Sequence, residues 1–227
     1  VESFYKKSFF NQKRFIVLHF KRTKTIYNTL LKIEIMGCDI HSFAEKRNKE
    51  TGKWEEVKDH FTIDDYDKKR LKKEKGSSPF DWRSYSVFAF LAGVRNYDHC
   101  EPLSEPKGLP NDSEYLNTES EDWMGYKETE KERLETDGNY HSMSYLTLKE
   151  LTDFDYDKTF WNRRIYKETY RADGTVSGGN GAALAEEGEG QIVSYRENLG
   201  EGFFVHLDEL KQLGEPEDVR IVFWFDN

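Results

Sequence analysis

The residues best suited to chemistry lie in two short polar motifs. In Asp39-Ile40-His41 an acid and an imidazole are two positions apart. On a β-strand such positions project to the same face, so both side chains could bind one metal ion. The second motif, residues 137–144, contains His141. If His141 approaches the first strand, one carboxylate and two imidazoles form a three-ligand site with open positions, which suits zinc hydrolysis or an iron(II) facial triad.

We therefore expect a divalent metal ion (zinc, iron or manganese) bound by Asp39, His41 and His141. Asp137 would be the catalytic group that orients a water molecule. An Asp-x-His pattern also arises by chance, so the alternative is an exposed polar pair or a histidine satisfied by hydrogen bonds. In that case we expect no cofactor.

A candidate ligand-binding motif, Arg95-Asn96-Tyr97, follows the most apolar run of the chain. Arginine presents a bidentate fork that suits carboxylate or phosphate, so we expect these residues to bind a small anionic molecule. The alternative is that Arg95 is a salt-bridge partner or interacts with the end of the preceding helix. The glycine-rich residues 177–183 lack the Gly-Lys-Ser/Thr pattern of a phosphate-binding loop, and acids follow them. They are predicted to be a flexible loop.

The first of these motifs lies in a predicted β-hairpin. Residues 38–47 alternate in polarity, which predicts a strand with Asp39 and His41 on the face opposite Ile40. A five-residue loop containing Asn and Gly then connects this strand to a second one at residues 53–57.

Helix signals follow in two places. Residues 84–94 are the most apolar run, and their length and alanines favour a buried helix with Asp81 or Ser84 as N-cap. Thr147 and Glu150 have the spacing of a capping box before a short helix.

The remaining segments complete the predicted architecture. We expect a helix over 154–171, a loop over 173–190, a helix over 207–213 and a buried strand over 219–225. Exposed or irregular segments are expected at 64–78, 100–112 and 112–137. The fold class is therefore α+β: a small mixed sheet, made of the N-terminal hairpin and the C-terminal strand, packed with a few helices and joined by long loops.

Composition excludes several classes of protein. The chain has 227 residues, 15% of them aromatic, and a mean hydropathy of −0.88. No stretch approaches the roughly 18 apolar residues of a membrane span, so no membrane association is expected. Two cysteines cannot build a disulfide framework, which favours a cytoplasmic protein. The oligomeric state is left open, self-association included.

Charge is distributed unevenly along the chain. Residues 1–35 contain eight Lys or Arg and two acids, whereas the rest has 26 basic and 41 acidic residues. The acidic part repels phosphates, so nucleic-acid binding is not expected there. We interpret 1–35 as a basic extension translated from upstream of a natural start at Met36, and 36–227 as a single domain. The alternatives are a basic arm that binds nucleic acid or the acidic domain, and a transit peptide.

Five sequence blocks resemble a family of phage proteins that begin Met-Gly-Cys-Asp-Ile-His. The blocks are M-G-C-D-I-H (36–41), F-x-F-L-A-G-V-R-N (88–96), P-L-S-E-P-K-G-L-P (102–110), H-S-x-S-Y-L-T-L-K-E-L (141–151) and D-V-R-I-V-F-W-F-D-N (218–227). The resemblance covers 36–227 and implies a phage protein in the host cytoplasm, but no activity. Members often carry a second histidine where this chain has Met143, a poor ligand for a hard ion, and this departure counts against a metal role here. Conversely, the Asp-x-His and His-x-His motifs of the relatives are the pairing that a metal site needs, so on balance the resemblance favours metal binding.

Two hypotheses of function follow. The first is a phage accessory enzyme that uses a metal to hydrolyse a small phosphorylated or nucleotide-like molecule. The alternative is a non-catalytic protein that sequesters a small molecule or inhibits a host protein.

Overall fold

The structure is a computed structural model that describes residues 37–121, 125–170, 176–186 and 189–227. The predicted extension, residues 1–35, lies outside the described residues. Residues Cys38–Asp226 form one compact unit.

The described residues contain both strands and helices, which confirms the α+β class. The strands are β1 (Asp39–Arg47), β2 (Trp54–Val57), β3 (Phe61–Thr62), β4 (Lys75–Gly76), β5 (Glu119–Glu121), β6 (Lys127–Thr129), β7 (Tyr140–Thr147), β8 (Thr159–Asn162), β9 (Arg164–Tyr170), β10 (Val176–Leu184), β11 (Gln191–Ser194) and β12 (Val219–Asp226). The helices are α1 (Asp65–Leu71), α2 (Tyr85–Ala92), α3 (Glu130–Thr136), α4 (Leu148–Asp153), α5 (Tyr195–Leu199) and α6 (Glu201–Lys211).

The largest sheet has four strands in the order β2-β1-β12-β7. Every pairing in it is antiparallel, so the expected mixed sheet is corrected to an antiparallel one. The predicted hairpin of β1 and β2 and the predicted C-terminal strand β12 are confirmed. β12 lies in the centre of the sheet, between β1 and β7, and its residues are almost all buried. The smaller sheets are two-stranded pairs: β3-β4, β5-β6, β8-β11 and β9-β10.

The two faces of the sheet pack against different parts of the chain. On the helix face, Ile40 and Phe225 join a large core with Phe88 of α2 and Phe203 of α6. The other face, called the loop face here, packs against a smaller cluster that includes residues of the 109–116 segment and of α3. Its buried members are Phe43, Leu109, Leu116, Leu134, Val222 and Trp224.

Helix α2 forms where the apolar run predicted it. Ser84 is the N-cap, and its side chain accepts a hydrogen bond from the Val87 N–H, which satisfies an otherwise free donor of the first turn. Gly93 ends the helix in a left-handed conformation (φ 69°), which glycine adopts without a Cβ clash. Six of the eight residues of α2 are buried, so this helix is a central part of the core.

The segment predicted as a helix over 154–171 instead contains two strands, β8 and β9. β8 pairs with β11 and β9 pairs with β10, both antiparallel. The prediction was wrong because alternating aromatic and charged residues fit a strand of period two better than a helix. The predicted loop over 173–190 is corrected as well, since β10 occupies 176–184 within it. A ladder is made by backbone groups, so even a glycine-rich segment can pair when its partner is present.

Three further expectations are corrected in part. The 64–78 segment contains α1, which begins at the Asp64 N-cap and buries none of its residues. The 112–137 segment contains α3, with a capping box formed by Thr129 and Glu132. The C-terminal helix α6 begins at Glu201, before the predicted start at 207, because Phe203 adds to its buried side. The predicted capping box of Thr147 and Glu150 is confirmed at α4.

A buried ion pair joins the two central strands on the loop face. Glu45 and Arg220 are directly opposite in the ladder, and Arg220 Nε donates to Glu45 Oε2 at 2.7 Å. Both residues are at least 96% buried. Arg220 also donates to Asp112 at 2.7 Å, and its guanidinium lies 4.1 Å from the Trp54 ring centroid. Ser113 donates to the other oxygen of Glu45, so this carboxylate is satisfied on both sides.

Candidate functional site

The ladder between β1 and β12 places four polar or aromatic residues at one end of the loop face. Asp39 is opposite Asp226, and His41 is opposite Trp224. Directly opposite residues of a ladder share one face, and positions two apart on a strand do so as well. All four side chains therefore meet on the loop face, as the sequence predicted for Asp39 and His41.

His41 is held by a carboxylate and two aromatic rings. Its Nε2 lies 2.9 Å from Asp226 Oδ2, and both side chains are partly exposed. The imidazole stacks on Trp224 with ring centroids 5.7 Å apart and an interplanar angle of 17°. Tyr140 approaches the imidazole edge-on at 5.8 Å. These contacts fix the orientation of the ring.

This geometry determines which nitrogen of His41 is available. An ionised carboxylate only accepts hydrogen bonds, so Nε2 carries the hydrogen that is donated to Asp226. In the neutral ring Nδ1 then has a free lone pair, and the described residues make no other hydrogen bond to the His41 imidazole. A ring fixed in this way can accept a proton from a bound molecule or a water.

Asp39 forms a bidentate ion pair with Arg83. Arg83 donates to both carboxylate oxygens of Asp39, with N–O distances of 2.7 and 2.5 Å. The Arg83 hydrogen bond lowers the pKa of Asp39 below its usual range. A bidentate pair of this kind uses lone pairs that a metal ion would need, so the Asp39 carboxylate is not available as a metal ligand while the pair is formed.

A cleft opens beside these residues, with a volume of about 520 Å³. Its lining comprises Asp39, Ile40, His41, Ser42, Phe43, Glu56, Ser77, Ser78, Asp81, Tyr115, Trp224 and Asp226. The volume is within the range of about 300–1,000 Å³ that small-ligand sites occupy.

The cleft is acidic. Among its four carboxylates, Asp39 is paired with Arg83, Glu56 with Lys58 at 3.2 Å and Asp226 with His41. No ion pair among the described residues involves Asp81. Although Asp81 as a whole is exposed, protein atoms around its carboxyl desolvate it and raise its pKa above the usual range. A cation near Asp81 would reverse this shift.

His141 lies on the other side of the sheet. It is opposite Phe225 in the β12-β7 ladder, and the two rings stack at 6.0 Å with an interplanar angle of 24°. Phe225 belongs to the helix face, whereas His41 and Trp224 belong to the loop face. The structure therefore does not bring Asp39, His41 and His141 together around one point. Within the described part of the chain, no three His, Cys, Asp or Glu residues are grouped so that they could hold a metal ion.

Asp137, the predicted catalytic group, shapes a turn. Its carboxylate accepts the backbone and side-chain N–H groups of Asn139 at 3.0 and 2.8 Å. Its carbonyl accepts the Tyr140 N–H at 3.1 Å. These bonds lead the chain from α3 into β7, and Asp137 does not line the cleft.

The predicted anion-binding residues also lie outside the cleft. Arg95 has a left-handed backbone (φ 50°) and its guanidinium contacts Tyr97 and the Cys38 thiol. The Asn96 side chain accepts the Cys100 N–H at 3.1 Å and donates to the Cys100 carbonyl at 2.8 Å, which closes a tight loop. None of Arg95, Asn96 and Tyr97 lines the cleft.

Sequence reasoning did not select several residues of the site, above all Asp226, Arg83, Glu56 and Asp81. Asp226 continues the even-numbered alternation of β12, with Trp224 on the same face. That signal could have found it only if the pairing of β1 with β12 had been known, since the two residues of the His41–Asp226 pair are 185 positions apart.

Comparisons with protein-family models, with curated proteins and with solved structures find no match for this chain. Within the described residues, the helices are too short or too polar to cross a bilayer.

Proposed function

We propose that the protein is a ligand-binding protein, that the cleft on the loop face is its binding site, and that its ligand is positively charged. The observation that carries this proposal is the cleft itself. It joins Asp81, which forms no ion pair with the described residues, to a His41 ring fixed by Asp226 and Trp224. With Arg83 and Lys58 counted against four carboxylates, the site keeps a net charge of −2 when His41 is neutral.

The charge favours a cation over the anionic ligand that the sequence predicted. A phosphate in the cleft would lie near four carboxylates, and like charges at close range are repelled. A cation would gain from Asp81, and its hydrocarbon part could pack on Tyr115 and Trp224, as lysine and arginine stems pack on aromatic rings. In a phage protein, which the resemblance of residues 36–227 implies, such a site would sequester a cationic molecule of the host.

Metal-dependent hydrolysis stays a prediction with less support. It requires Asp39, His41 and His141 around one ion, and these side chains occupy two faces of the sheet. The His41–Asp226 pair still gives the cleft a group that can transfer a proton, so turnover of a bound ligand is a natural second question once a ligand is found.

Thermal unfolding with a small panel of compounds tests the proposal. Spermidine, agmatine and arginine amide should stabilise the protein, by ~2.7 kcal/mol at a hundredfold excess over Kd, whereas AMP and inorganic phosphate should not. Asp81→Asn should weaken the cation effect about tenfold, which corresponds to ~1.4 kcal/mol. Asp208→Asn removes an equal charge from the exposed side of α6 and serves as control. Equal stabilisation of wild type and Asp81→Asn would refute the assignment of the cleft.

A further inference from the structure

Among the described residues, one edge of β1 has no partner strand where it borders the cleft. β12 pairs with β1 along Asp39–Lys46, but β2 pairs with it only from Ala44 to Arg47. Within the described part of the chain, the residues of β1 before Ala44 therefore have a neighbouring strand on one side only. At about 3.4 Å per residue, the five residues from Asp39 to Phe43 offer about 17 Å of open edge.

The direction of the backbone groups on this edge follows from the ladder. In antiparallel pairing, alternate residues point their N–H and C=O groups to the same side. Arg47 N–H donates to Asp218 on the β12 side, whereas Asn48 N–H donates to Lys53 on the β2 side. Even-numbered residues of β1 thus face the β2 side, and for Ile40 and Ser42 no described strand lies on that side. No hydrogen bond of the described residues satisfies these backbone groups.

The chain after β2 turns away and does not pair with this edge, where Ile40 and Ser42 keep 5% and 7% of their surface exposed. Asp59 is in a left-handed conformation (φ 49°) and its N–H donates to Ser77 Oγ at 3.0 Å. The next N–H, of His60, donates to the Gly76 carbonyl at 2.8 Å. The segment that would have continued β2 along Ile40 and Ser42 is therefore used to pair with the chain around β4.

The open edge is a wall of the cleft. Ile40 and Ser42 line it although their side chains belong to the helix face, so it is their backbone that borders the space. The opposite wall includes Ser77 and Ser78. The Ser42 hydroxyl donates to the Pro79 carbonyl, which fixes this second wall to the sheet.

We infer that the ligand of the cleft is an extended peptide that adds to β1 as a strand and carries Lys or Arg at every second position. This inference rests on the proposed function and names the class of its ligand. Added strands gain affinity from backbone hydrogen bonds, here with Ile40 and Ser42, and specificity from alternate side chains. One set of alternate side chains lies on the loop face, beside His41 and Glu56 and against Tyr115, where lysine or arginine is complementary.

Fluorescence anisotropy with a labelled peptide, Thr-Arg-Thr-Arg-Thr-Arg-Thr, tests the inference on the full chain. The peptide should bind, and the matched Thr-Glu peptide should not. Two N-methylated versions, one methylated at the three Arg residues and one at the Thr residues, distinguish a strand from a merely cationic ligand. Only one of these sets of N–H groups faces β1, so one version should lose at least tenfold in affinity and the other should bind as the parent does.

Matched variants and a second probe separate this inference from the proposed function. Asp81→Asn and Glu56→Gln should each weaken peptide binding, while Asp208→Asn should not. Equal binding of both methylated peptides would overturn strand addition, as would stabilisation by spermidine without any peptide binding, and in both cases the cationic site would stand. A dimer in sedimentation that excludes the peptide would assign the edge to a second copy and overturn the inference. Failure of peptides and small cations alike would remove both proposals.

Discussion

The buried residue His206 makes the stability of the fold depend on pH. Its Nδ1 accepts the Phe80 N–H at 2.9 Å and its Nε2 lies 2.8 Å from the Thr62 carbonyl, so the ring is neutral with the hydrogen on Nε2. The ring also packs against Phe61 and Trp82. Burial lowers the pKa of His206 below its usual value. Protonation would place a second hydrogen on Nδ1, opposite the Phe80 N–H.

The pH dependence of stability follows from this pKa. Between the usual histidine value of about 6.5 and the lower folded value, the unfolded chain binds a proton that the folded protein does not. The contribution of His206 to stability is therefore present above about pH 6.5 and is lost as the pH falls through that window. Urea unfolding at a series of pH values should show this slope in wild type. It should be flatter in His206→Gln and unchanged in His99→Asn, which removes an exposed histidine at a left-handed position that asparagine tolerates. An unchanged slope in His206→Gln would contradict the assignment.

The sequence predicts individual residues well when the cue is local. The shared face of Asp39 and His41 follows from strand alternation, which depends on neighbouring residues only. Asp226 and Arg83 come from distant parts of the chain, and the pairing that brings them to Asp39 is set by the packing of the whole sheet. The condition that His141 approaches Asp39 and His41 is not met for the same reason, because the register of β7 on β12 decides its face.

Among the elements, the central strands β1 and β12 are joined by the buried Glu45–Arg220 ion pair. Both charges are out of water, and each has further partners, Ser113 for the carboxylate and Asp112 for the guanidinium. A buried pair of this kind adds little net free energy over apolar residues, but the loss of one partner leaves the other charge buried and unpaired.

Arg220→Ala should therefore lower the free energy of unfolding by about 3–5 kcal/mol, because Glu45 would remain buried without its cation. Arg196→Ala removes an arginine whose ion pair with Asp157 is exposed, and should cost about 0–1 kcal/mol. Urea denaturation followed by tryptophan fluorescence measures both. Similar losses for the two variants would mean that the buried pair is not a special support of the sheet.

Element types were predictable where capping or apolar patterning is strong, as at α2 and α4. β9 was missed because its alternating pattern was interpreted as a helix, and β10 because it is stabilised by β9 and has no strong signal in its own sequence. The long glycine-rich stretch of β10 has little strand propensity, so the ladder with β9 overrides the local preference.

For the molecule as a whole, the class was predictable and the strand order was not. An early hairpin, intervening helices and a late apolar strand indicate α+β without specifying neighbours. The place of β12 between β1 and β7 depends on contacts across nearly the full domain, which no local pattern contains.

A fragment experiment tests the central role of β12. A chain that ends at Glu215 should lack the near-ultraviolet circular dichroism of the packed aromatic core, because Phe223 and Phe225 belong to that core. Adding a synthetic peptide of residues 216–227 should restore the signal, and a scrambled peptide should not. Native circular dichroism from the shortened chain alone would show that the sheet does not need its central strand.

The pairing of β1 with β12 also constrains when the domain can fold in the cell. Asp39 and Asp226 are 187 positions apart, so during translation β1 cannot pair with β12 until β12 has left the ribosome. Until then, among the described strands, β1 has a partner only along Ala44–Arg47, on the β2 side. Unpaired strand edges associate with other chains. Loop closure over this length is also slow. Synthesis of this protein should therefore depend on the nascent-chain chaperones of the cell more strongly than that of a helical protein of equal length.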